Sequence, residues 1–305
     1  MNTFRPRGII SVLQTPFDAE GGVDEASQER LVEDAIAAGV DGFLVPVVAS
    51  EVAELTSEER ELIVRRVAQQ SHGRVPVVVG ASSADPQECC RFAQVAESVG
   101  ATAYLVAVPN ELYGSPEKIL GFFQRIARSC PLPLLIQDLQ FGGPGMTIET
   151  IQQLQVELPT LAGLKIETLP AGSKYTAVRN ALGPDFFIAG GWAVPQMIEA
   201  LDRGVDAMIP ESAMVRVYVA IDRAHRAERR ERAIELFREL VPILAFSNQE
   251  LLTSIAFFKR LLTRKGIFSG ENLRAKGFAW DTYNRRIADE LIDHYLELEA
   301  RVEKG

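Results

Sequence analysis

The chain has 305 residues, 47% of them hydrophobic and 24% charged, with a formal net charge of −9. That composition fits a globular protein with a large core, and the acidic balance argues against a nucleic-acid-binding surface, which needs clustered basic residues. At this length a single α/β barrel competes with two ordinary domains.

The opening stretch 1–17, MNTFRPRGIISVLQTPF, has too short an apolar run for a signal peptide and no small-residue cleavage site. No stretch approaches the roughly 18 uninterrupted apolar residues of a membrane helix. A cytoplasmic protein without membrane partners is expected. Cys89, Cys90 and Cys130 are an odd set with two adjacent, which predicts small, buried, reduced thiols and no disulfide frame.

In chain order, short β-branched runs predict strands at 8–13, 42–48, 75–80, 103–108, 132–137, 161–166, 186–189 and 206–209. Helical patterns lie between them. The first, at 25–38, is capped by Asp24. The second, at 57–70, has Thr56 as cap and Glu59 completing a capping box. AGVDGFL (38–44), VGATAYL (99–105) and RGVDAMI (203–209) repeat one joint, in which glycine ends a helix and an apolar strand follows. Eight such βα units close into a (β/α)8 TIM barrel, an α/β fold.

From about residue 216 the pattern is helical throughout. We assign 1–225 to the barrel and 226–305 to a C-terminal helical extension packed on it. Breaks are expected at Pro242 and at GIFSGENLRAKGF (266–278). Arg226, Arg229, Arg230 and Arg232 alternate with Glu228, Glu231 and Glu235, the pattern of a solvated helix face.

In such a barrel the chemistry sits where the strands end. Those segments are QTPF (14–17), VVASE (47–51), GASSAD (80–85), PNELYGS (109–115), QDLQFGG (137–143), AGGWA (189–193) and PESA (210–213). His72, His225 and His294 fall elsewhere, which disfavours a histidine metal site or a Ser-His-Asp triad, and there is no GxGxxG or Walker loop. Lys165 stands out inside the sixth strand. Burial lowers the pKa of an amine, and a neutral amine forms Schiff bases with ketones. The alternative is a lysine that only pairs with Glu167. Lys174, nine residues on, is expected to be a solvated helix residue. Ser50, Ser82 and Ser83 are candidates for binding a carboxylate. Gly190 and Gly191 either let the backbone approach a substrate or form a plain turn. Trp192 is a pocket wall or a core residue. Tyr113 is a candidate for proton relay or for contact with a second subunit.

GIISVLQTPFD (8–18), GVDGFLVPVVASEVAELTSEER (39–60), VPVVVGASS (75–83), GLKIET (163–168) and the helical tail together resemble the dihydrodipicolinate synthase / N-acetylneuraminate lyase family of Schiff-base barrels. The resemblance covers nearly the whole chain. It implies that Lys165 forms a covalent Schiff base with a 2-oxo acid such as pyruvate, that no separate cofactor is needed, and that the protein is a homo-oligomer, tetramer or dimer. Two departures follow. Where the family has Gly-Thr-Thr-Gly-Glu, this chain has Val47-Val48-Ala49-Ser50-Glu51. Where the family has its relay tyrosine, this chain has Gln137, whose amide has no useful pKa for proton transfer.

Gln137-Asp138 and Lys165-Ile166-Glu167-Thr168 are similar to the L-2-keto-3-deoxyarabonate dehydratase branch of the family. That branch implies that Glu167 is the acid/base, on the same strand face as Lys165 because residues two apart share a face. The expected catalytic set is Lys165, Glu167 and Gln137. The expected substrate-binding set is Ala49, Ser50, Glu51, Ser82, Asp138, Thr168, Gly190, Gly191 and Trp192. Polar positions of that branch are Ser83-Ala84 and Ala245-Phe246-Ser247-Asn248 here. With partners for sugar hydroxyls lost, a substrate smaller or less polar than a pentonate is expected. The leading reading is a dehydratase of a 2-keto-3-deoxy sugar acid or a less polar analogue. An aldolase and a weakened 2-oxo-acid-binding relative are the alternatives.

Overall fold

A computed structural model describes residues 4–192 and 194–304. The strands are β1 (Gly8–Val12), β2 (Gly42–Val45), β3 (Val77–Gly80), β4 (Ala103–Ala107), β5 (Leu134–Leu139), β6 (Leu161–Glu167), β7 (Phe187–Gly190) and β8 (Ala207–Met208). They pair in parallel and in sequence, and β8 returns to β1 to close the barrel. The helices after successive strands are α1 (Glu25–Ala38), α2 (Ser57–Ser71), α3 (Pro86–Ser98), α4 (Pro116–Ala127), α5 (Ile148–Glu157), α6 (Ala171–Leu182), α7 (Met197–Asp202) and α8 (Val215–Arg226). Then come α9 (Arg230–Ser247), α10 (Leu251–Arg264) and α11 (Thr282–Lys304). The fold is the expected (β/α)8 barrel with additional C-terminal helices.

Alternation along the strands builds two cores. Inward residues such as Ile10, Leu44, Val78, Leu105, Leu135 and Phe187 fill the barrel. Outward residues such as Ile9, Phe43, Val79, Tyr104, Ile136 and Ile188 meet the helices. Phe4 packs edge-on against Phe187, with ring centroids 5.3 Å apart. The caps form as read: Asp24 accepts from Ser27 N at 3.0 Å, and Thr56 and Glu59 make the reciprocal box.

Several expectations change. β2 stops at Val45 rather than at residue 48, because Pro46 has no N–H for the ladder, and Val48–Ser50 forms a single 3-10 turn. β5 runs on to Leu139 and β6 to Glu167. Pro242 does not break the tail but lies inside α9. An interior proline costs about 3 kcal/mol of helix stability, which the buried Leu240, Ile243 and Leu244 around it offset. The segment from Gly266 to α11 does interrupt the helices. Cys89 and Cys130 are buried, but Cys90 is only half-buried.

Lys174 is not solvated. Its Nζ pairs with Asp138 Oδ2 at 2.5 Å and donates to the carbonyls of Pro144 (2.6 Å) and Met146 (2.7 Å). Asp138 is fully buried and accepts from Met146 N and Tyr113 Oη, each at 3.0 Å. This cluster fixes the β5–α5 loop from outside the barrel. Removing one partner of a buried pair strands the other charge, at a cost of about 3–5 kcal/mol. Lys174→Met is therefore expected to lose stability of that order in urea unfolding. Adding Asp138→Asn to it should recover part of the loss.

Candidate active site

The register of the barrel brings the site together. Gln137 on β5 lies beside Lys165 on β6, and Lys165 lies beside Ala189 on β7. Gln137, Lys165 and Glu167 all point inward, because the side-chain period of a strand is two. Lys165 is 4% exposed, and its Nζ lies 3.1 Å from Glu167 Oε1. The buried carboxylate is held from two further sides. Gln137 Nε2 donates to its Oε2 at 2.5 Å, and Trp192 N donates to its Oε1 at 2.5 Å. Gln137 Oε1 is buried with no partner among the described residues, leaving an acceptor at the chamber that Gln137 helps to line.

Two backbone features make this geometry possible. Trp192 has φ of +49°, a left-handed conformation that non-glycine residues rarely adopt, and its N–H thereby reaches Glu167. A Cβ on Gly191 would fall on Glu167 Oε1 and within 2.5 Å of Lys165 Cε. The side chains of Lys165 and Glu167 approach this glycine on one side, and it also lines the larger of two adjoining cavities. Gly190 gives room to Tyr175 Oη and Met208 in the same way.

Lys165, Glu167 and Gln137 line a chamber of about 40 Å³. Its other walls include Val48, Ala49, Trp192 and Glu211, together with Leu251, Ser254 and Phe258 of α10. It shares Leu139, Glu167 and Trp192 with a larger cavity of about 440 Å³, which Thr168 also lines. The Thr168 hydroxyl is buried without a partner among the described residues.

Other expected residues are committed elsewhere. Ser50 donates to Leu13 O (2.6 Å) and accepts from Val47 N (3.1 Å), so its hydroxyl braces the loop. Glu51 pairs with the buried Lys259 of α10 and accepts from Arg274 N at 3.1 Å. Ser82 accepts from Ala107 N at 2.9 Å, and Ser83 from Asp85 N at 3.1 Å. Asp138 faces the helices, as described. Tyr113 is spent on Asp138, and burial, then that carboxylate, pushes its pKa up. None of these lines the chamber. His225 and His294 pair with Asp202 and Glu239 far along the helices. Among the described residues no group of His, Cys, Asp and Glu is arranged to hold a metal ion, and no helix is long and apolar enough to cross a membrane.

Glu211, just after β8, was not anticipated. It is buried in the chamber wall. Its Oε2 accepts from Gln14 Nε2 (3.4 Å) and from Ala213 N. Burial pushes its pKa up to about 7, against the lowering pull of those bonds. A lone acid after a two-residue strand carries no pattern; its place at a strand end was the only available signal. Lys259 was also missed. Burial lowers its pKa to about 8, but it faces Glu51 and the Phe17 ring, outside the chamber walls.

A closed barrel with a buried amine and carboxylate at its C-terminal mouth defines the class. Residues 5–277 match the dihydrodipicolinate synthetase family, and the chain belongs to that family. It is 28% identical over 279 residues, 90% of this chain and 89% of the relative, to the L-2-keto-3-deoxyarabonate dehydratase of Azospirillum brasilense. It is 30% identical over 246 residues, 78% of this chain and 81% of the relative, to the 4-hydroxy-tetrahydrodipicolinate synthase of Brucella abortus. Its fold matches a 4-hydroxy-tetrahydrodipicolinate synthase of Methylacidiphilum fumariolicum with a TM-score of 0.88 at 23% identity, covering 98% of each chain. A sialic acid aldolase of Ruminococcus gnavus also matches, with a TM-score of 0.88 at 18% identity over 97% of this chain and 98% of that one. Family membership supports lyase chemistry of the Schiff-base kind on a 2-oxo acid.

Two outcomes follow from this geometry. Gly191→Ala is expected to slow borohydride trapping of a 2-oxo acid about a hundredfold, as small displacements of reacting groups do, with the circular dichroism spectrum unchanged. Glu211 gives a pH signature. Its folded pKa lies above the unfolded value of 4.5, so the native state holds a proton that the unfolded chain has released. Its stabilising effect is complete below pH 4.5 and is lost as pH rises to about 7. Glu211→Gln should flatten that decline, roughly 3 kcal/mol, in urea unfolding measured across this window.

Proposed function

We propose that this protein is a Schiff-base dehydratase acting on a 2-oxo acid through Lys165. The reading is carried by the buried Lys165–Glu167 pair, 3.1 Å apart, in a site without the relay tyrosine. Glu167 takes the proton of the Lys165 ammonium. The neutral amine then adds to the C2 carbonyl, and Glu167 gives its proton to the departing hydroxyl, so that loss of water leaves the iminium and a free carboxylate. The iminium draws electrons from C3, and Glu167, on the same strand face, removes a C3 proton to form the enamine. The enamine electrons expel the C4 hydroxyl, which leaves as water with the proton that Glu167 holds. Hydrolysis of the iminium releases the deoxygenated 2-oxo acid and restores the amine. Gln137 and Trp192 N keep the carboxylate aimed throughout. The covalent bond to Lys165 serves as the electron sink, so the cycle calls on no other cofactor.

One observation favours a second reading, aldol cleavage. Glu211, with its pKa near 7, lines the chamber and is a candidate base for a C4 hydroxyl. The product separates the two readings. A dehydratase yields a deoxygenated 2-oxo acid; an aldolase yields pyruvate and an aldehyde.

Borohydride reduction in the presence of pyruvate is expected to add the reduced adduct mass to Lys165 and to nothing else. Lys165→Ala should abolish it. Glu167→Gln should still trap but turn over about 10²–10⁴-fold more slowly. Absence of any adduct across a panel of 2-oxo acids would falsify the proposal.

A further inference from the structure

The larger cavity has a chemical character of its own. One wall is the β5–α5 loop, where Phe141 meets Trp192 edge to face with centroids 5.2 Å apart at 82°. α9 forms another wall, to which it contributes Val241 and Leu244. Phe141, Leu169 and Val241 are 58%, 58% and 45% exposed and all line this one cavity. They are three of the six large hydrophobic side chains that remain exposed among the described residues. Scattered exposed apolar residues need no explanation, but a concentration in one concavity marks a binding site. At about 440 Å³ the cavity exceeds the roughly 150 Å³ that suffices for a benzene ring.

Apolar side chains predominate in its lining, beside the amides of Gln140, Gln196, Asn248 and Gln249, the hydroxyls of Thr168 and Tyr175, and the shared Glu167. The Thr168 hydroxyl, 2% exposed, and Asn248 Nδ2 are the buried polar atoms of its lining that have no hydrogen-bond partner among the described residues. A polyol tail would bring a hydroxyl on nearly every carbon, and each buried hydroxyl without a partner weakens binding. Glu167, Trp192 and Leu139 line both this cavity and the Lys165 chamber. The chamber itself, about 40 Å³, has room for little beyond the reacting carbons.

We propose that this cavity receives the substrate's tail, and that the tail is an apolar, ring-sized group bearing one hydrogen-bonding substituent. The inference rests on the Schiff-base reading for the position of the reacting end, but not for the character of the cavity. A 2-oxo acid held at Lys165 projects its chain past Glu167, and Trp192 and Phe141 then stack on the ring from one side. Thr168 and Asn248 supply the donors for its polar substituent.

The test is calorimetric titration of Lys165→Ala with 4-phenyl-2-oxobutanoate, pyruvate and a 2-keto-3-deoxy sugar acid, paired with borohydride trapping of pyruvate on the wild type. The aryl acid is expected to bind at least about tenfold more tightly than either of the others. Val241→Asp and, as a second exposed position, Phe141→Ser should each remove most of that advantage, and Val241→Asp, outside the Lys165 chamber, should leave pyruvate trapping unchanged. The inference is overturned if the aryl acid shows no advantage, or if the sugar acid binds most tightly. It is also overturned if Val241→Asp changes the oligomeric state in ultracentrifugation without changing affinity, since the face would then be an interface. Pyruvate trapping without an aryl advantage would remove the tail and leave the Schiff base. An aryl advantage without any trapping would do the reverse.

Discussion

The ion pair between Lys165 and Glu167 is the contact on which the rest of the site depends. Two charges taken from water lose several kcal/mol of hydration each, and their attraction offsets this only where the remaining hydrogen-bonding positions are filled. Here Gln137 and the Trp192 N–H complete the carboxylate. The pair also dictates its surroundings. Position 191 must be glycine-sized because the two side chains occupy the space of a Cβ. Trp192 holds a strained backbone so that its N–H faces inward, the kind of strain found where structure serves chemistry. In this account Gln137 matters as the clamp that orients the base, rather than as a proton carrier.

The C-terminal extension is part of the site, not an appendage. α10 supplies Leu251, Ser254 and Phe258 to the chamber, and α9 supplies one wall of the outer cavity. A buried latch holds the extension in register. Lys259 pairs with Glu51, the buried acid of the second-strand loop. Arg274 grips Glu59 through two bonds of 2.5 and 2.6 Å and lies 4.2 Å over the Phe17 ring. A loop that resembles a substrate-binding loop in sequence is thus turned to anchoring helices. Ser50 and Glu51 accordingly spend their polar atoms on the protein itself.

Much of this was legible in the sequence. The β-branched runs and helix-ending glycines were enough for the barrel, since each strand and cap is a local feature. Lys165 and Glu167 were legible too, because a period of two puts both on the inner face. The same period turns Asp138 outward because Gln137 faces inward, which puts it against the helices and not in the chamber. Lys174 was unreadable for a different reason: its partner Asp138 lies on another strand, and a helix position gives no hint of what it docks on. The Ser50 and Glu51 bonds reach 37 and 223 residues along the chain, and no local pattern encodes such pairings. Glu211 owes its raised pKa to burial, a property of the closed barrel and of no single stretch.

In the proposed cycle Glu167 moves a proton at C3 of a substrate held on Lys165. Proton NMR of pyruvate in deuterium oxide tests it most directly, because enamine formation exchanges the methyl protons whether or not the true substrate is known. The account predicts methyl exchange with the wild-type protein, none with Lys165→Ala, and a rate reduced about 10²-fold or more with Glu167→Gln. Exchange that continues undiminished in Glu167→Gln would contradict it.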